Sequence, residues 1–375
     1  MPAKTLVHRL IIGLIVGLSG CANPLEHTPA DGAQPGAIPV SELKSERVES
    51  STRPEAKAEE TSPTCEEPLV FADPSLEAII RKTIGATPTQ PLSLVDVGGI
   101  HRLRDDIWDD AKIEDLSGIE CLTELRVLML SGNAIGNLAP LASLTQLQQL
   151  NLSANGIRDL AELASLTQLQ ELYLSGNEIS DLSPLEGLVD LRELHLRGNE
   201  IDDLSPVAAL TDLWRLEAGA NAIRDLSPVG SLPRLELLLL DDNEIEDLSP
   251  IASLPRLGWL RLSGNRIRDL GPLASIESLG DLWVERNQIR DLSPLKGLPR
   301  LVGLYAKNNE IEDLSAVASI ASLIGLDVSE NRVTDTSALE ALVRLKFVVL
   351  DSNACSTVPA KVWNRGVDVR NCPRP

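Results

Sequence analysis

Two groups of side chains in this sequence are of types that can do chemistry. His195 stands with Glu171, Glu193 and Glu217, acids that recur at 22-residue and 2-residue offsets around it. An imidazole among carboxylates can ligate a metal or exchange protons. Nine aspartates also recur every 22 residues, from Asp159 to Asp335, a carboxylate ladder of the sort that can hold calcium. Both have plainer readings. A lone exposed histidine among acids serves as a polar contact residue. An Asp at a turn accepts backbone hydrogen bonds, and Arg158, Arg224, Arg268 and Arg290 offset the charge. The sequence has no phosphate-binding loop, no G-x-S-x-G and no H-E-x-x-H. None of the five cysteines forms a C-x-x-C pair, so zinc is not indicated. The expectation is a protein without catalytic residues, metal or cofactor.

The elements that carry these residues repeat. Asparagine returns at 22-residue steps from Asn133 to Asn353, eleven times, with no insertion. Eight residues before each stands a leucine, from Leu125 to Leu345. Two residues after each stands Ile in nine turns, then Val333 and Cys355. A Leu-x-Leu segment reads as a short strand with alternate residues facing core and solvent. The Asn reads as a buried turn residue whose amide satisfies backbone groups of its own and neighbouring turns. Ser-Pro pairs such as Ser183-Pro184 and Ser249-Pro250 suit an N-cap and the first position of a short 3₁₀ turn. With five Trp, two Tyr and two Phe in 375 residues, the core must be aliphatic, as a stacked array allows.

The spacing L-x-x-L-x-L-x-x-N-x-I resembles the leucine-rich repeat. The Ile-x-Asp-Leu-Ser-Pro second half, as in Ile179 to Pro184, resembles the internalin-type repeat. The resemblance covers roughly Cys65 to Asn353. It implies an α/β solenoid: a horseshoe with a parallel β-sheet on its concave face and 3₁₀ turns on its convex face. Asp73-Pro74 through Ile84-Gly85 predicts a helix with Asp73 as N-cap, Leu76, Ile79, Ile80 and Ile84 on one face, and Gly85 as terminator. This is similar to the helical cap of internalins. A degenerate turn between Leu103 and Leu116 follows, with Ala111 at the Asn position.

Solvent-facing strand positions lie six, four and two residues before each Asn. They form a surface on the order of 50 Å long. Two of these columns hold Tyr173, Trp259, Trp283, Tyr305 and Phe347, most of the rings of a chain that otherwise avoids them. Exposed rings are favoured interface anchors. The candidate ligand-binding patch is Trp259, Arg261, Trp283 and Tyr305. Leu237 and Leu239 extend it, Asp281, Glu285, Lys307 and Asp327 form its charged rim, and Gly303 and Gly325 leave open space beside Tyr305. The expected partner is a protein, with a glycan or envelope polymer stacking on the rings as the alternative. The net charge of −21 argues against nucleic acid.

The remaining segments read as export and tethering. Lys4 and Arg9 precede an apolar run from Leu10 to Leu18, too short to span a bilayer. Leu18-Ser19-Gly20-Cys21 resembles a bacterial lipobox, which implies removal of residues 1–20 and lipidation of Cys21. The lipid is then the sole membrane anchor. Ala22 rather than Asp at the next position implies the outer membrane. Residues 21–64 are a Pro, Glu and Ser-rich tether unable to bury enough surface to order. The expected divisions are an N-terminal cap at 65–110, the repeat array at 111–354 and a C-terminal cap at 355–375. Cys65 with Cys121, and Cys355 with Cys372, are the disulfide pairs suggested by closeness in sequence. A monomer is expected. The internalin resemblance does not extend to an immunoglobulin-like domain or a wall-sorting signal, so host-receptor binding is not carried over.

Overall fold

A computed structural model describes residues 65–105, 112–354 and 358–370. Cys21, Ala111, Cys355 and Cys372 lie outside them. Thirteen three-residue strands form one unclosed parallel sheet in strictly sequential order. Strand β1 is Arg102–Arg104, β2 is Val127–Met129, and the series advances by one strand per repeat to β12, Phe347–Val349. Within it, β7 is Leu237–Leu239, β8 Trp259–Arg261, β9 Asp281–Trp283, β10 Gly303–Tyr305 and β11 Gly325–Asp327. A last strand, β13, Asp368–Arg370, pairs with β12.

The middle residue of each strand in the array is buried. One turn shows the whole core: Leu257, Leu260, Leu262, Ile267, Leu270, Leu273 and Ile276 are all at most 1% exposed. Each such side chain gains about 1.5–3 kcal/mol by leaving water, and identical layers stack on it above and below.

The asparagines hold the layers together. Asn243 donates through Nδ2 to Leu240 O of its own turn at 3.1 Å and to Ala218 O of the preceding turn at 3.0 Å. Its Oδ1 accepts from the Ile223 amide at 3.0 Å. Every repeat from Asn155 to Asn353 reaches back to the same carbonyl, 25 residues earlier.

The 3₁₀ turns are present, but their capping differs from the expected scheme. In Ser183–Leu185 the capping residue is Leu182, which makes no side-chain bond. Ser183 is the first residue of the turn, and its backbone N–H and hydroxyl both donate to Asp181, at 2.8 Å each. The preceding Asp therefore does what was expected of the Ser, because its carboxylate lies two residues upstream with the reach to close the turn. All nine ladder aspartates accept from the backbone N–H two residues on. These donors hold Asp181 and Asp313 below the usual carboxylate range.

At the front, α1 is Pro74–Ile84, capped by Asp73 and ended by left-handed Gly85. Asp73 also joins this cap to the array. One oxygen accepts from Ser75 N and Leu76 N, the other from Glu114 N and Asp115 N. Burial works against its charge, but the four donors outweigh it and keep its carboxyl low. A four-residue helix, α2, Leu94–Val97, follows with a Ser93–Asp96 capping box. Cys65 and Cys121, 56 residues apart in sequence, form a disulfide with a Cα–Cα distance of 5.8 Å. Closing a loop of that length restricts the unfolded chain by about 4 kcal/mol in the entropic account. At the far end α3, Ala360–Asn364, precedes β13. No helix among the described residues is long and apolar enough to cross a membrane.

Replacing Asn243 by Ala strands the Ile223 amide in a buried site, while Asn265 still donates to Leu240 O and Asn221 to Ala218 O. At about 1–3 kcal/mol per unpaired group, we expect a loss of at least about 1 kcal/mol in chemical denaturation. A loss below about 0.5 kcal/mol would contradict the ladder's role.

Candidate functional site

In β1 to β11 the first and third residues flank a buried leucine, in β12 a buried valine, and so share the sheet face. Parallel pairing places Arg261 opposite Trp283, Trp283 opposite Tyr305, and Tyr305 opposite Asp327. In the neighbouring row Leu237 stands beside Trp259 and Trp259 beside Asp281. The candidate residues are therefore contiguous across β7 to β11.

The rings touch. Trp283 and Tyr305 stack with centroids 5.0 Å apart and planes 5° from parallel. Tyr305 meets Phe347 at 6.3 Å, tilted by 33°. The Arg261 guanidinium carbon lies 5.8 Å from the Trp283 centroid, while its Nε donates to Asp241 at 2.9 Å. Arg261 and Tyr305 come from strands on opposite sides of Trp283, so both faces of the indole are covered. The stack is worth about 0.5–1.5 kcal/mol, and the cation on the indole about 0.5–1 kcal/mol. Burial first, then Asp281, Glu285 and Asp327, push the Tyr305 hydroxyl up to about 12, so it stays neutral. Asp327 turns toward its own loop and accepts from the Ser329 amide and hydroxyl.

Gly303 and Gly325 do not leave open space. A Cβ at Gly303 would lie 2.3 Å from an Asp281 carboxylate oxygen and 2.9 Å from the Tyr305 ring. At Gly325 it would lie 2.3 Å from Phe347. The large neighbours have folded over the bare backbone, which is where they find contact surface.

Toward the front of the array, His195 is 7% exposed, contrary to the exposed residue expected. It stacks on Tyr173 at 4.3 Å, with Nδ1 3.1 Å from Glu217 and Nε2 3.5 Å from Glu193. Arg215 bonds to Glu217, and the Tyr173 hydroxyl donates to Glu171. The cluster closes on itself through bonds within strands, Arg215 to Glu217 and Tyr173 to Glu171, and contacts across them, His195 to Tyr173 and Glu217. Burial opposes the charged imidazole, yet Glu193 and Glu217 outweigh it and raise its pKa. Burial likewise opposes the Glu217 carboxylate, but His195 and Arg215 hold it at about 2. Among the described residues, no group of three or more His, Cys, Asp or Glu is placed to hold a metal ion.

A family model of paired leucine-rich repeats matches residues 123–165 and 167–209. An internalin (inlF) from Listeria monocytogenes is 32% identical over 81% of this chain and 93% of its own, with a TM-score of 0.74. The chain belongs to the internalin-like leucine-rich-repeat family. Internalin C2 from the same organism is 35% identical over 59% of this chain and 96% of its own, TM-score 0.55. The leucine-rich-repeat chain matched in an octameric complex of Latrophilin 3, Unc5D and FLRT2 is 22% identical, over 73% of this chain and 91% of its own, TM-score 0.56, and shares the fold alone. No curated protein sequence matches.

In this internalin-like chain a further row of side chains went unnoticed in the sequence. The residue before each Asn has left-handed backbone. Gly132, Gly176, Gly198 and Gly264 fill it cheaply, but Asp242, Arg286, Asn308 and Glu330 occupy it at φ 58, 53, 54 and 53°. A left-handed non-glycine costs about 1–2 kcal/mol, less for Asn and Asp. These four side chains line a groove of about 390 Å³ beside the aromatic row. The signal was available: the Gly and Ala of earlier turns give way to charge at this one position.

His195 also makes stability depend on pH. A raised folded pKa stabilises fully below the unfolded value of 6.5 and loses that contribution as pH rises through the folded value. The lowered Glu217 stabilises above 4.5 and loses its share as pH falls toward about 2. We expect the stability gap between the native chain and His195→Gln to be widest between pH about 4.5 and 6.5 and to shrink above that window. A pH series of thermal unfolding reads it. A gap that stays flat to alkaline pH would mean the ring is neutral throughout.

Proposed function

We propose that this chain is a non-catalytic recognition protein that binds a protein partner through its sheet face, anchored at Trp259, Trp283 and Tyr305. The observation that carries the reading is the run Arg261, Trp283, Tyr305 along one row from β8 to β10, packed side chain on side chain, with Phe347 of the neighbouring row tilted against Tyr305. The aliphatic core has no need of these side chains. Preordered rings lose little freedom on binding and so anchor interfaces well. Leu237 and Leu239 continue the strip, and Asp281 and Asp327 border it. The matched leucine-rich-repeat chain of the FLRT2 complex is seen with protein partners, which supports the class of ligand.

A sugar-binding reading loses its physical basis at Trp283. Stacking on a sugar needs a free ring face, and here one face meets Tyr305 and the other Arg261. Trp283 therefore offers its edge, which suits the packed side chains of a protein surface.

The proposal includes the setting. Lipid on Cys21 would tether a monomer to the bacterial outer membrane, with residues 21–64 giving a root-mean-square reach on the order of 35 Å. At −21 nucleic acid is an unsuitable partner.

In the double variant Trp283→Ala with Tyr305→Ala we expect capture of the native partner from the cell envelope to be abolished. The fold should survive, with Tm lower by about 2–4 °C per kcal/mol of lost stacking. Undiminished capture by the variant sinks the patch.

A further inference from the structure

The charged groove at the loop edge shares Arg261, Glu285 and Lys307 with the aromatic patch, but the proposed partner surface does not use it as a pocket. Its charges do not balance pairwise. Asp241 is paired with Arg261 at 2.9 Å, and Glu330 with Lys307 at 3.0 Å. Asp242 is served twice, by Arg286 at 2.7 Å and by Arg197 at 3.8 Å. Glu285 has no ion pair among the described residues; its carboxylate accepts from the Ser263 hydroxyl and its own backbone amide, and feels the Arg261 charge only at longer range. The groove thus contains one guanidinium more than its paired acids need and one carboxylate, Glu285, with no ion pair of its own among the described residues.

Construction of the groove also requires specific backbone. Asp242 and Arg286 are two turns apart and meet across Gly264, where a Cβ would lie 2.4 Å from the Asp242 carboxylate and 3.1 Å from the Arg286 guanidinium. Both partners stand on left-handed backbone that glycine fills more cheaply elsewhere in the array. Strain of this kind persists where side chains have work beyond stability. The volume of about 390 Å³ falls in the range of small-molecule sites, but the walls are ionic rather than apolar.

We propose that this groove binds a small zwitterion of the amino-acid or short-peptide class, its ammonium on Glu285 and its carboxylate on the Arg197 and Arg286 guanidiniums. A guanidinium fork matches a carboxylate in two parallel bonds. A half-buried carboxylate with no ion pair of its own is the natural seat for an ammonium. Burial first, together with the neighbouring Asp241, raises the Glu285 pKa, and an ammonium there relieves that penalty. Arg261 is common to the groove wall and to the Trp283 stack, so occupancy reaches the indole.

The test titrates the full chain with alanine, alanyl-alanine, N-acetyl-alanyl-alanine and alanyl-alanine amide, followed by calorimetry and tryptophan fluorescence. Alanine or the free dipeptide should bind at millimolar concentration or below; which of them binds tells amino acid from peptide. Acetylation and amidation should each weaken dipeptide binding about tenfold or more. In Glu285→Gln the penalty for acetylation should vanish while that for amidation remains. Arg286→Gly should lose binding while Tm holds or rises, since glycine relieves the left-handed backbone. The proposal is overturned if neither free compound binds, if the capped peptides bind as well as the free one, or if Arg286→Gly lowers Tm and leaves binding intact. The aromatic patch is judged separately, by partner capture.

Discussion

One carboxamide per turn decides this architecture. A turn of 22 residues must leave the sheet with its carbonyls and amides pointing into a dry interior, where each unpaired group would cost on the order of a kilocalorie or more. The asparagine settles both kinds at once, donating to two carbonyls of adjacent turns and accepting an amide from the earlier turn. Because the bonds run between turns, the ladder fixes the spacing and phase of every layer. With backbone and core provided for, residues on the sheet face are released from structural duty and free to vary.

The array uses that freedom unevenly. Around β4 to β6, Glu171–Tyr173, Glu193–His195 and Arg215–Glu217, long polar side chains bend onto one another and satisfy their charges internally. Around β8 to β12 rings stack along the face and charge is pushed to the loop edge, onto backbone that resists it. The first region is self-contained. The second combines stacked apolar side chains with a charged groove at the loop edge.

The fold was legible because its determinants are local and repeated. Asn133 to Asn353 give the phase, the leucines give the strands, and Asp73 with Gly85 bounds the cap helix. What escaped depends on reach rather than on spacing. The spacing puts His195 on the sheet face but does not say that Tyr173 and two glutamates fold over it. Gly303 reads as a gap until Tyr305 leans across it. The role of Asp181 in capping its turn turns on which of two adjacent polar groups is long enough. Strand β13 is offset from β12 by 21 residues rather than 22, so a search at the repeat period passes it by. The lipidation site and the Cys355–Cys372 pair fall outside the described residues and stand where the sequence left them.

That last strand has a consequence for how copies of the chain coexist. An open sheet presents backbone donors and acceptors along its outermost strands, and a second molecule can add to them as another layer. Here the first and last strands of the sheet read Arg-Leu-Arg and Asp-Val-Arg, with exposed charges on either side of a single aliphatic residue. A foreign strand docking there would have to strip water from charges that its own leucine repeat cannot replace. The one-residue slip of β13 also puts the end out of step with any following turn. A repeat this regular could template stacking of further copies, and charged edge strands raise the desolvation cost of such stacking.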